Sequence, residues 1–243
     1  MRKGDWIQTY TGIQFYPLDP RIEEIDIRDI AKALAFICRF TGHSKSFYSV
    51  AEHSVRCAMY ITKNFREHPR HLEIKKAALL HDAAEAYIGD FSRPLKRSLL
   101  QSGITLIKEI EDRLLTMIYE KYGVTIDEQI QSIVNETDLI MLKDEADFLM
   151  YDSSVWTELQ SVKKGNMPFG DIHIPWTPGK AEYEFKSTFI KVFKVDNAFP
   201  PIENKRKPET QWYKGRTATQ IPINRDQKID NLTDDNSPID DGG

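Results

Sequence analysis

The chain has 243 residues, 40% hydrophobic and 29% charged, with a net charge of −4. That suffices for one sizeable core. The acidic balance argues against wrapping a nucleic-acid polymer, which wants a basic stripe, but leaves a nucleotide monomer open as a substrate.

No apolar run approaches the ~20 residues of a membrane span. The start, Met1 to Trp6, lacks the apolar stretch of a signal peptide. Cys38 and Cys57 sit in apolar patterns and read as free thiols in a reducing compartment. The expectation is a cytoplasmic protein without membrane contact.

Residues 1–25 scatter Trp6, Tyr10, Phe15 and Tyr16 among Gly12, Pro17 and Pro20, which reads as an arm packed on a core. From Asp26 the period changes. Ile27, Ile30, Ala31, Leu34, Ile37 and Cys38 recur every three or four residues and predict an amphipathic helix that ends near Arg39 and Phe40, with Gly42 as its stop signal. Ser49 and Glu52 have the spacing of a capping box, opening a helix to residue 64 with His53 in its first turn. A central helix is expected over 72–87, and Ser92 to Pro94 break the chain.

Ile104, Ile107, Ile110, Leu114, Met117 and Ile118 mark a further helix closed by Gly123. Thr125 and Glu128 suggest a second capping box, followed by Ile130, Ile133, Val134, Met141 and Leu142 on one face. Residues 165–179 read as a loop and 181–195 as a last helix. From 203 onward the chain has too few apolar residues to offset its ordering entropy and is expected to be disordered. The organisation expected is all-α: an arm over 1–25, a helical bundle over 26–200 and a tail over 201–243.

The most informative stretch runs from Ala77 to Asp90. Four apolar residues lead into His81 and Asp82, with Glu85 at i+4 from His81 and Asp90 just past Gly89. On one helix, His81 and Glu85 share a face. Carboxylates fed by an apolar run are costly unless a positive group pairs with them, and a divalent ion is one such partner. The competing reading is a solvated acidic helix end. Asp138 lies at i+4 from Val134 and i−4 from Leu142, which puts another carboxylate in an apolar stripe; of its acidic neighbours only Glu145 shares that face. Together His53, His81, Asp82 and Asp138 form a nitrogen–oxygen donor set for one divalent ion, manganese, cobalt, iron, magnesium or zinc.

The order H…HD…D spread over helices resembles the HD-domain metal-dependent phosphohydrolases, over roughly residues 27–149. The detail is similar to their 5′-deoxynucleotidase branch, on Arg39-Phe40, Val50 to Ser54, His81 to Glu85 with Gly89 and Asp90, and Pro94 with Lys96. The resemblance implies that His53, His81, Asp82 and Asp138 hold the metal, that Glu85 positions or deprotonates the attacking water beside the catalytic Asp82, that Arg39 holds the phosphate, and that Asp90 hydrogen-bonds the sugar 3′-hydroxyl. In that branch tryptophan follows the arginine; here it is Phe40, which has no N–H donor. Phe40 and Lys96 complete the substrate-binding set. Arg93, Lys96 and His43 fit a pocket wall or the open surface equally well. Trp156, Trp176 and Phe169 read as core or interface residues, and Glu52 as a cap.

The activity implied is removal of the 5′-phosphate from deoxyribonucleoside monophosphates, in a homo-oligomer. The alternatives are a deoxynucleoside triphosphohydrolase releasing triphosphate, with Lys45, Arg93, Lys96 and Arg97 supplying charge, and a non-catalytic nucleotide-binding module.

Overall fold

The computed structural model describes residues 2–165, 175–196 and 198–200. Residues 1–201 form one compact unit; a second covers 202–243, outside the described residues, so the expected disordered tail falls there. So does most of the loop expected over 165–179. The described fold is an all-α bundle: α1 Ile27–Phe36, α2 Val50–Asn64, α3 His71–Leu80, α4 Glu85–Ile88, α5 Arg93–Gln101, α6 Leu106–Lys121, α7 Glu128–Leu149 and α8 Pro178–Phe193. Among the described residues no helix is long and apolar enough to cross a membrane.

The bundle is built around α2, which packs on α1, α3, α7 and α8. Eleven of its fifteen residues are buried, and four of these, Glu52, His53, Ser54 and Arg56, are polar or charged. A helix covered on all sides is normally apolar, so each of these groups needs a partner inside the protein. Ser49 caps the helix by accepting from the Glu52 N–H at 3.1 Å. Glu52 does not return the bond as a capping box would. Its carboxylate is buried, takes Arg56 at 2.5 Å and accepts the Trp176 N–H at 2.8 Å, which ties the segment before α8 to α2.

Several boundaries differ from the sequence pattern. Helix α1 ends at Phe36, and Cys38 is extended, bridged to Ser49. The expected helix over 72–87 is two helices: α3 stops at Leu80 and α4 starts at Glu85. Between them Ala83 and Glu85 donate to the carbonyls of Leu80 and Asp82, three residues back, which is the tighter 3-10 winding. Pro94 does not merely break the chain; it sits in the first turn of α5, where its missing N–H is harmless. The cap of α7 is Asp127, accepting from the Ile130 N–H at 2.9 Å, rather than Thr125.

The N-terminal segment is bound into the bundle. Ile7–Gln8 and Gln14–Phe15 pair as a two-stranded antiparallel hairpin. Phe15 is fully buried and stacks on Tyr87 of α4, ring centroids 4.0 Å apart. Asp29 of α1, also buried, accepts from the Thr11 N–H at 2.7 Å and the Thr11 hydroxyl at 2.9 Å. Phe15→Ala is therefore expected to lower unfolding stability by about 3–5 kcal/mol, read by urea denaturation. Trp6→Ala, at an exposed ring, is expected to change it by less than about 0.5 kcal/mol.

Candidate metal centre

His53 leaves the first turn of α2, His81 and Asp82 leave the tight turn after α3, and Asp138 and Glu145 leave one face of α7, two turns apart. Because α7 packs on both α2 and α3, the five side chains meet. His53 Nε2 is their hub. It lies 3.1 Å from His81 Nε2, 3.2 Å from Asp138 Oδ1, 3.6 Å from Asp82 Oδ2 and 3.5 Å from Cys57 Sγ. His53, Cys57 and His81 form a buried group whose donor atoms all lie within 4.8 Å of one another, a set able to hold a metal ion.

The partners of the other ring nitrogens decide what these atoms present. His81 Nδ1 lies 2.8 Å from the Ala78 carbonyl oxygen, which can only accept, so Nδ1 carries the hydrogen and neutral His81 turns a lone pair toward His53. His53 Nδ1 lies 2.6 Å from Glu145 Oε1 and donates there too. Acceptors therefore converge on His53 Nε2, and a cation there satisfies them. A proton on His53 does so: burial and Arg39 oppose it, but Cys57, Glu145 and Asp138 prevail, and the imidazole is held well above its ordinary value. A metal ion does so as well. Nitrogen and oxygen donors sharing an ion at about 2.1 Å stand about 3.0–3.4 Å apart; the distances from His53 Nε2 to His81 and Asp138, 3.1 and 3.2 Å, fall in that range, and Asp82 at 3.6 Å lies just beyond it.

Glu145 is the residue that sequence reasoning left in second place. It is 1% exposed and accepts from the Tyr48 hydroxyl at 2.8 Å, from Arg39 Nε at 3.1 Å and from His53. Burial works against its charge, but Arg39, His53 and Tyr48 outweigh it and hold the carboxyl below its usual range. A carboxylate on the far nitrogen of a metal-ligating imidazole fixes its tautomer and orientation. The signal available was position: Glu145 lies two turns from Asp138 on the same apolar stripe.

A cleft of about 930 Å³ opens beside this cluster, its lining mixing the acidic residues Asp82, Glu85, Asp90, Asp138 and Glu158 with Arg39, Arg93, Lys96, Arg97 and His43. Arg39 bonds Asp82 at 3.4 Å as well as Glu145, Arg93 bonds Asp138 at 2.8 Å, and Lys96 bonds Glu111 at 2.8 Å and lies 3.6 Å from Glu85. Phe40 lines the cleft too. It and Thr41 adopt left-handed backbone angles, φ +57° and +55°, where only glycine is at ease. Arg39 precedes the reversal; its N–H donates to the Tyr48 carbonyl at 2.8 Å and its guanidinium bonds Glu145.

Glu85 does not align with His81 as on a single helix. The 3-10 winding brings residues three apart into register, so Glu85 follows Asp82; both line the cleft and His81 does not. Burial, then the charges of Asp82 and Asp90, raise the Glu85 carboxyl well above its usual range. Its Oε2 is buried without a hydrogen-bond partner among the described residues. Asp90 is likewise raised, chiefly by burial. Trp156, expected in a core or interface, stands 6.1 Å from the Phe40 ring and lines the cleft with Leu142, Met150 and Val155. Trp176 packs on the Arg56 guanidinium, 5.1 Å from its ring centre. Phe169 lies outside the described residues.

Fold and site thus define an all-α protein with a buried histidine–cysteine cluster beside an open, charged cleft. No family model matches the chain. It is 37% identical to the uncharacterized protein YfdR of Escherichia coli (strain K12) over 185 residues, covering 76% of this chain and 93% of YfdR. It is 31% identical to an uncharacterized protein of Rhodobacter capsulatus over 150 residues, covering 60% of this chain and 73% of that one. The chain belongs to the YfdR family.

Glu145→Gln keeps the side chain's shape but removes the charge that orients His53. Manganese affinity measured by titration calorimetry is expected to fall roughly 10–100-fold.

Proposed function

We propose that this protein is a metal-dependent phosphohydrolase that removes the 5′-phosphate from deoxyribonucleoside monophosphates. The observation that carries the reading is the convergence of His53 from α2, His81 and Asp82 from the turn after α3, and Asp138 from α7 at the edge of a cleft that also holds Arg39 and Glu85. The resemblance of the sequence motifs to HD-domain phosphohydrolases supports it.

These four residues would hold one divalent ion, which when bound polarises a phosphoryl oxygen and favours ionisation of the attacking water. Arg39 has five N–H donors, of which Nε serves Glu145 and Nη1 serves Asp82. The rest of the fork suits the phosphoryl oxygens, where negative charge builds. Glu85 Oε2 is the proton acceptor. Water oxygen bonds to phosphorus as the bond from phosphorus to the sugar oxygen breaks, Glu85 takes the water proton, and the departing oxygen takes a proton from solvent in the open cleft. Asp90, on the same wall, is placed to bond a sugar hydroxyl. The Phe40, Trp156 and Leu142 wall suits the face of a base, which stacks on aromatic rings.

The triphosphohydrolase reading stays in view because α5 lines the cleft with Arg93, Lys96 and Arg97, enough charge for further phosphates. Each is already engaged by a carboxylate, Asp138, Glu111 and Glu158 respectively, which favours the smaller anion.

A panel of deoxynucleoside mono- and triphosphates with manganese, cobalt or magnesium separates the readings. Phosphate released from monophosphates is the expected outcome; triphosphate released while monophosphates stay intact would transfer the assignment. His81→Ala and Asp82→Ala are expected to lose both metal and turnover. Glu85→Gln should keep metal and lose about 10²–10⁴-fold in kcat. Because Glu85 is raised and acts as its anion, the wild-type rate should climb as pH rises through its titration, and that limb should vanish in Glu85→Gln. A Glu85→Gln enzyme at full rate removes the residue from the reaction.

A further inference from the structure

Cys57 has no part in the reaction proposed above. It stands at i+4 from His53 on α2, so the two side chains leave the same face. A buried free thiol is usually a small apolar filler. This one points at the centre: its Sγ is 3.5 Å from the hub nitrogen His53 Nε2, and with His81 it completes the three-donor group within 4.8 Å. Sulfur and nitrogen sharing an ion at about 2.3 and 2.1 Å with a tetrahedral angle stand about 3.6 Å apart.

The oxygen donors are placed differently. Asp82 is shared with Arg39 and Asp138 with Arg93, so each is drawn toward a cation on the cleft side. His53 and His81 thus lie within reach of both a sulfur donor and two oxygen donors of different chemical preference. Thiolate favours zinc, iron or cuprous copper, and carboxylate favours magnesium or manganese.

We propose that Cys57 is a further metal ligand, so that His53 and His81 serve two classes of ion: hard ions held with Asp82 and Asp138, and borderline or soft ions such as zinc held with Cys57. The inference rests on reading the two histidines as ligands. When the sulfur–metal bond forms, the thiol proton passes to solvent. A six-coordinate ion on the oxygen set keeps two positions open for water and phosphate. A four-coordinate ion on two nitrogens and Cys57 keeps one. The identity of the ion thereby sets how much of the reaction the centre supports.

Cobalt(II) added to the full-length chain is the probe. Wild-type protein is expected to show a near-ultraviolet thiolate-to-cobalt charge-transfer band. Cys57→Ser should abolish the band and Cys38→Ser retain it, Cys38 being the other cysteine of the chain. In competition with a chromophoric chelator, zinc affinity should fall at least about tenfold in Cys57→Ser while manganese affinity stays within about twofold. Cys57→Ala, which adds no buried hydroxyl, should repeat the result with an unchanged circular dichroism spectrum. Cobalt bound without the band, or a Cys57→Ser protein that keeps the band or the zinc affinity, overturns the proposal and leaves the histidine centre standing. A His81→Ala protein that binds cobalt as tightly as wild type removes the centre itself, and the proposal with it.

Discussion

Everything about this protein turns on acceptors crowded around one nitrogen. His53 Nε2 faces a second imidazole lone pair and two carboxylate oxygens within 3.6 Å, on a helix covered from all sides. Such a set is unstable without positive charge, because His53 is fully buried and the acceptors around it repel one another. Two cations can fill the role, a proton or a metal. The surrounding residues hold the shape open for either. Glu145 and the Ala78 carbonyl fix which nitrogen of each ring faces inward, and Tyr48 and Arg39 fix Glu145.

The same network links the centre to the cleft. Arg39 bonds Glu145 on the buried side and Asp82 on the cleft side, so the guanidinium that would receive an anion is held by the carboxylate that orients His53. Arg93 stands in the same relation to Asp138. Buried ion pairs are poor evidence of stability, since apolar replacements are often as stable. Their concentration here, with Glu85 raised and Asp82 lowered within one wall, is the pattern of a site in which neighbouring carboxyls are tuned to different tasks.

The bundle, and the helix faces that bring His53, His81, Asp82 and Asp138 near one another, were legible because they rest on short-range periodicity. The 3.6-residue pattern located α1, α2, α6, α7 and α8, and the apolar run before His81 marked a polar pair at the edge of the core. What stayed hidden depends on packing between distant segments. Asp138 and Glu145 carry the same signal on the same face; only the positions of α2 and the Arg39 turn separate one role from the other. Trp156 reads as any aromatic in a loop until its segment closes over Phe40. Pro94 reads as a breaker unless the chain resumes as a helix, and α5 buries none of its residues, so its pattern carried no core to recognise. Glu52 had the spacing of a cap, but Arg56 and the Trp176 N–H compete for its oxygens and win.

The two departures from regular helix geometry fall where the cleft chemistry is placed. After Arg39 the chain takes two left-handed non-glycine residues in succession, each unfavourable by about 1–3 kcal/mol. Before them, the extended residues Ile37 and Cys38 end α1 and carry Arg39 to where its guanidinium meets Glu145. After Leu80 the winding tightens for one turn. With ordinary winding Glu85 would stack over His81, among the nitrogen donors. With three residues per turn it stacks over Asp82 and keeps a buried oxygen directed to the cleft wall. Departures from local preference are expected where a functional site needs them; both of these fall on residues lining the cleft, whereas α2 and α7 run without interruption.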